Sequence, residues 1–259
     1  MTVKDRIAAI QARLGLKADG LIGPVTLTAI EKVLDEQLGE QAATPRLSCS
    51  TAGLKKLVEF ECSSAAYYNR FLKHPTWPGG ASGVTIGIGY DLGYCSAAQA
   101  RRDWRGRVSD DELAELEKVC RLKGIDAKAI ISVPALRDVT VGLDAASEVF
   151  YQSSLPAYAD KCIKAYPGVT DLPADAQTAI LSLVYNRGTA KSGSKRKEMK
   201  AIGPLIQQGD LAGIADQIIS MKRLWENSGL GGLLRRRDDE ADLVRGARRD
   251  YSPDELVRI

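Results

Sequence analysis

The stretch SGVTIGIGYDLG, residues 82–93, sets Val84, Ile86, Ile88 and Tyr90 against Thr85, Gly87, Gly89 and Asp91. Alternation with period two is the mark of a strand, and glycine at alternate positions inside it invites a bend. No other part of the chain reads so clearly as strand, and the segments on either side carry helical spacing. The expected fold class is therefore mainly α with a small β-hairpin or sheet.

Upstream, Leu54, Leu57, Val58 and Phe60 form an apolar helix face that ends around Tyr67-Tyr68-Asn69. Glu59 and Glu61 lie near its end, and two residues on a helix are about 200° apart, so both cannot face one cleft. Spacing alone does not choose between them. Downstream, Ser109-Asp110-Asp111-Glu112 is an S-x-x-E capping box opening a helix to about Cys120. Further helices are expected over 144–154, 155–165, 173–187, 211–226 and 231–249.

At the N-terminus Val3, Ile7, Ile10 and Leu14 have helical spacing, and Ala18-Asp19-Gly20-Leu21-Ile22-Gly23-Pro24 turns the chain into a second helix from about Thr26. Residues 38–50 lose that periodicity around Pro45 and read as a linker. The organisation expected is a small helical module over 1–37, a linker over 38–50 and a larger domain over 51–259.

Composition narrows the function classes. With 259 residues, 44% hydrophobic and 27% charged, the chain is neither disordered nor fibrous. A net charge of +3 is too mild for a dedicated nucleic-acid binder, although it favours approach to an anionic polymer. Lys195-Arg196-Lys197 and Arg235-Arg236-Arg237 read as solvated faces. The five cysteines form no C-x-x-C pair, so reduced thiols are expected, with a Cys62–Cys95 disulfide as the open alternative. His74 is the one histidine. Neither a metal nor a cofactor is expected, and Gly87-x-Gly89 lacks the third glycine of a nucleotide loop. The opening MTVKDRIAAI carries charges where a secretory signal needs apolar residues, and no run approaches about 18 apolar residues. A monomer without a Sec signal or membrane insertion is expected.

Breaking a glycosidic bond takes one carboxylic acid to protonate the leaving oxygen and usually a second carboxylate. Leu57-Val58-Glu59-Phe60-Glu61, then Ala66-Tyr67-Tyr68, then Thr85-Ile86-Gly87-Ile88-Gly89 resembles the F-E-G, A-Y and T-I-G-x-G pattern of the phage-type lysozymes. The resemblance implies a lysozyme-like α+β catalytic domain and makes Glu61 the general acid. Cys62 stands where that family has glycine, and residues 62–84 hold no Asp or Glu where the family carries an aspartate. The nearest downstream carboxylate is Asp91, on the same strand face as Thr85. A straight strand would hold the two about 20 Å apart, so they meet only if the chain turns at Gly87 or Gly89. A branch of the fold similar to muramidase bacteriocins places its acidic partner after T-I-G, which implies Thr85 as a water-positioning hydroxyl and Asp91 as the second carboxylate. Asp103 is the fallback.

Gln177 and Leu183-Val184-Tyr185-Asn186-Arg187-Gly188 resemble the family's Y-N-x-G helix, and Trp225 with Gly231-Gly232-Leu233-Leu234-Arg235-Arg236-Arg237 resembles its closing segment. The substrate-binding residues so implied are Tyr68, Tyr90, Gln177, Tyr185 and Asn186. Ile10-Gln11, Leu14-Gly15-Leu16, Asp19 to Thr26 and Ala29-Ile30 resemble a peptidoglycan-binding module, with Asp19, Gly20, Gly23 and Thr26 carrying the motif. Together they imply a peptidoglycan hydrolase, an N-acetylmuramidase acting on the bacterial wall after release by a holin or a dedicated secretion system. The alternatives are a lytic transglycosylase and a non-catalytic wall-binding or structural protein.

Overall fold

Glycine decides how the alternating stretch folds. In the computed structural model, which describes residues 2–38 and 45–259, Gly87 and Gly89 both take positive φ, 57° and 71°, a region L side chains rarely enter. The chain reverses over Gly87-Ile88-Gly89 and returns antiparallel, so β2 (Thr85–Ile86) pairs with β3 (Tyr90–Asp91). Ile86 and Ile88 are buried. A Cβ on Gly87 would lie 3.1 Å from both Ala146 Cβ and Trp104 Cη2, so the turn is fitted against the helices that carry those two residues as well as strained for any other residue.

The helices are α1 (Val3–Arg13), α2 (Pro24–Leu38), α3 (Thr51–Cys62), α4 (Ala65–Phe71), α5 (Ala97–Trp104), α6 (Asp110–Lys118), α7 (Ile125–Ile130), α8 (Pro134–Arg137), α9 (Leu143–Val149), α10 (Leu155–Ala165), α11 (Ala174–Arg187), α12 (Lys197–Gln208), α13 (Leu211–Ser220) and α14 (Gly231–Arg245). β1 (Ser48–Ser50) pairs antiparallel with β4 (Leu256–Arg258). The protein is mainly helical with very little sheet. The helix expected to run to Asn69 is broken: Ser63 has φ 57°, and the Ser64 hydroxyl accepts from Tyr67 N at 3.1 Å to start α4. A serine that can cap competes with helix continuation. The S-x-x-E box at Ser109 forms as read, and Glu112 Oε1 also accepts from Thr140 N at 2.8 Å.

The chain divides into two compact units, Val58–Pro156 and Met1–Leu57 with Ala157–Ile259. This differs from the expected module, linker and domain. Residues 39–44 of the expected linker lie outside the described residues, but 48–50 are strand, and Arg258 N donates to Thr28 Oγ1 at 2.7 Å. The N-terminal helical pair is therefore tied to the C-terminal strand, a link no local pattern announces.

In the second of these units α11 is the central helix, with Ala174, Ala176 to Val184 all buried. A helix surrounded on every side must satisfy its polar groups internally. Thr178 Oγ1 donates to Ala174 O at 2.7 Å and accepts from Ser50 N at 2.9 Å, fastening β1 to the helix. α14 packs along α11, with α13 against α14 and α12 against α13.

In the unit Val58–Pro156, Trp104 is fully buried and meets Tyr90 edge-on, centroids 5.4 Å apart at 90°. α4 packs on α9, and α5 on α6. Thr76 extends the hairpin by one bridge, its N and O paired with Thr85 O and N at 2.9 and 2.8 Å.

Candidate active site

The acid candidate sits where a helix stops. Glu61 is the last residue but one of α3 and is half-buried, whereas Glu59 is exposed. Burial thus separates two carboxylates that spacing could not. Cys62, behind Glu61, is buried and its thiol donates to Val58 O at 3.2 Å. Burial pushes that thiol's pKa up, and the charges of Glu61 and Glu59 push it further, so it is an inert proton-bearing group.

The hairpin register puts Thr85 directly opposite Asp91. The bend at the two glycines removes the separation a straight strand would impose. Both side chains are half-buried. The Asp91 carboxylate also clasps the backbone around it: Gly83 N donates to Oδ1 and Oδ2 at 3.0 and 3.2 Å, and Gly93 N donates to Oδ1 at 2.9 Å. Gly83 and Gly93 approach so closely that a Cβ on either would fall within 2.7 Å of the other's backbone. We expect Asp91→Ala to lose roughly 1–2 kcal/mol by stranding those N–H groups, and Asp91→Asn, which keeps an acceptor oxygen, to retain most of it. Urea unfolding of the two variants checks this, and equal midpoints would remove the clasp from the account.

Several expected site residues stand elsewhere than in an open cleft. Tyr68 is fully buried, its hydroxyl donating to Val141 O at 3.1 Å, and burial raises its pKa. It is a core residue joining α4 to the chain before α9. Tyr90 is buried too; its hydroxyl donates to Asp103 Oδ2 at 2.8 Å, and burial, then that hydrogen bond, drive its pKa up. Asp103 is committed in turn, accepting also from Ser153 Oγ at 2.7 Å, with Arg102 Nε 3.6 Å from its other oxygen. That triad holds the hairpin to α5 and to the turn after α9, which disposes of Asp103 as a fallback partner. Gln177 is buried and saturated: Oε1 accepts from Ser48 N at 2.8 Å, and Nε2 donates to Thr170 O and Leu172 O at 3.1 and 2.7 Å. It staples β1 to α11 rather than reaching substrate.

Tyr185 and Asn186 do reach the surface, half-buried and exposed at the end of α11. Tyr158 of α10, which the sequence did not single out, meets Tyr185 with ring centroids 4.4 Å apart at 39°. Trp225 is half-buried, with the Arg187 and Arg237 guanidinium carbons 4.9 and 5.7 Å from its ring centroid. Helical spacing could have offered Tyr158 only as one more aromatic.

In the N-terminal helical pair, Asp19, Gly20 and Thr26 converge on buried Gln11. Gln11 Nε2 donates to Asp19 Oδ1, Leu21 O and Thr26 Oγ1 at 2.8, 2.8 and 3.0 Å, and Gly20 N donates to its Oε1 at 2.8 Å. Gly20 has φ +73°, and a Cβ there would lie 2.8 Å from Lys4 O. Gly23 precedes α2, its carbonyl accepting from Leu27 N at 3.0 Å. The loop so held leaves Leu21 and Ile22 exposed, at 63% and 55%.

All five cysteines are free thiols. The Cys62–Cys95 pairing therefore does not occur; Cys62 bonds to Val58 O, and Cys95 Sγ lies 3.4 Å from Leu92 O. Among the described residues no group of three or more His, Cys, Asp or Glu could hold a metal ion, and no helix is long and apolar enough to cross a membrane.

No curated protein matches the chain. Residues 58–236, more than half of the chain and the span that holds Glu61, Thr85, Asp91, Tyr185 and Asn186, match a family described as Domain of unknown function (DUF8812), and the chain belongs to that family.

Proposed function

We propose that this protein is an N-acetylmuramidase, hydrolysing the β-1,4 bond between N-acetylmuramic acid and N-acetylglucosamine in peptidoglycan. The observation that carries the reading is the hairpin, which sets Thr85 and Asp91 face to face in the compact unit that also holds half-buried Glu61. Glu61 protonates the departing glycosidic oxygen. Thr85 and Asp91 hold the attacking water, and Asp91 Oδ2 carries only the longer of the clasp bonds, so it retains accepting capacity for one. With a water between acid and partner, inversion is the expected outcome. In the other unit, Tyr185 and Asn186 at the exposed end of α11 are an aromatic face and an amide, groups suited to sugars. The loop around Gln11, presenting Leu21 and Ile22, serves wall binding. The place of action is the bacterial wall, reached through a holin or a dedicated secretion route.

A second reading has an observation of its own. Asp91 is already used to clasp Gly83 and Gly93, and a lytic transglycosylase needs the acid but no second carboxylate, since the muramyl O6 attacks in place of water. Mass spectrometry of digested peptidoglycan separates the two: reducing-end products carrying added water are expected, and 1,6-anhydromuramic ends would overturn hydrolysis in favour of the transglycosylase.

A further inference from the structure

Cys95 and Cys120 meet at a shared backbone junction. The Leu92 carbonyl accepts from Cys95 N at 3.3 Å and from Arg121 N at 3.1 Å, so Cys95 and the residue after Cys120 are fastened to one oxygen. Cys95 Sγ turns back toward that oxygen at 3.4 Å, and Cys120 Sγ lies 3.5 Å from Leu116 O at the end of α6. Each thiol shifts the other's pKa, as neighbouring side chains at such a junction do.

Their chemistry differs from that of the other three. Its neighbour Cys120 holds Cys95 below the ordinary thiol pKa despite burial and the charges of Asp103 and Asp91. Cys120 is driven up, first by Cys95 and then by burial. Once one proton has left, the other is shared by the pair. Cys49 is instead pushed up to about 12 by burial, Cys162 is raised by burial, and Cys62 is raised by burial and neighbouring glutamates. Cys95 is buried, while Cys120 is partly open to solvent. One pair alone thus combines proximity, thiolate character and access.

We propose that Cys95 and Cys120 are a redox-active dithiol that closes to a disulfide by exchange with a low-molecular-weight disulfide such as oxidised glutathione. In the minor proton arrangement, with the shared proton on Cys95, the partly open Cys120 thiolate attacks the reagent, forming a mixed disulfide and releasing one glutathione thiolate. Cys95 then gives up its proton and attacks the Cys120 sulfur, expelling the second glutathione thiolate. The protein dithiol loses two electrons and two protons, and the reagent becomes two thiols. The bond ties the residue after the Leu92–Tyr94 turn, which Asp91 caps, to the end of α6. Oxidation therefore stiffens the segment that carries Asp91, and it does so whether or not the chain cleaves glycan.

The test is to equilibrate the full-length protein with oxidised glutathione, alkylate it under denaturing conditions and map the peptides. Three of the five cysteines should remain alkylatable, with a cross-link joining the Cys95 and Cys120 peptides. The melting temperature should rise by roughly 5–10 °C, as a disulfide closing a loop of this size does, and dithiothreitol should reverse both changes. Cys120→Ser should keep all four of its thiols; if that variant does not fold, the wild-type peptide map decides alone. Five alkylatable thiols, a glutathione adduct on Cys120 with no cross-link, or a cross-link elsewhere would each overturn the proposal.

Discussion

Glu61→Gln is expected to abolish clearing of a purified peptidoglycan suspension, a loss of about 10²–10⁴-fold for a missing general acid, without lowering the melting temperature. Glutamine has the volume of glutamate and an amide that still hydrogen-bonds, but it has no proton acidic enough to give to a leaving alkoxide. Glu59→Gln is the internal control: Glu59 is exposed and a half-turn away on the same helix, so its variant should clear the suspension at the wild-type rate. Groups placed for chemistry are commonly held at some cost to the fold, so stability should be unchanged or raised. Wild type and Glu61→Gln equally inactive would favour a wall-binding or structural protein. Equal activity would take the acid's role from Glu61 and leave the hydrolase to another carboxylate.

How much of this was legible in the sequence follows from how local each cause is. Strand alternation broken by Gly87 and Gly89 is a local signal, and it led to the hairpin and to the pairing of Thr85 with Asp91. The Ser109 box is equally local. Polar residues on α11 were a different matter. Gln177 looks like a cleft residue until Ser48, 129 positions away, is seen donating to it. The resemblance offers Tyr68 and Tyr90 as sugar contacts, and a motif cannot tell an aromatic that meets sugar from one whose hydroxyl is satisfied inside the core by Val141 or Asp103. β1 and β4 are three residues each, too short to alternate, and their pairing joins Ser48–Ser50 to the distant Leu256–Arg258. In the N-terminal loop the resemblance names Asp19, Gly20 and Thr26, but that the three gather on Gln11 is a fact of folding rather than of spacing.

The largest expected effect on stability comes from Glu240, a residue no motif singled out. Its side chain is fully buried, as is that of Arg237, and the Arg236 side chain is 5% exposed. Glu240 Oε1 accepts from Ser182 Oγ at 2.6 Å, Arg236 Nε at 3.1 Å and Arg237 Nη2 at 2.8 Å. Arg236 Nη2 in turn donates to Ser182 O and Oγ at 3.1 and 3.0 Å, closing the network between α11 and α14. Burial lowers the Arg237 pKa, and the Glu240 charge opposes that shift, so the carboxylate is what keeps the guanidinium tolerable inside the core. Arg237 Nε and Nη1 already lack hydrogen-bond partners, and it has no spare bond to fall back on. Removing one member of a buried ion network costs about 3–5 kcal/mol, because the desolvated charge left behind has no answer. For a chain of this size Glu240→Ala should therefore lower the melting temperature by roughly 10 °C. Glu240→Leu distinguishes charge from volume: it refills the space but leaves buried Arg237 without its counter-charge, so calorimetry should find it nearly as unstable as the alanine variant. Recovery in the leucine variant would mean that packing, not the ion network, holds α14 to α11. Glu240→Gln should fall between wild type and alanine, since its amide oxygen still accepts from Ser182 and Arg237 while the compensating charge is gone.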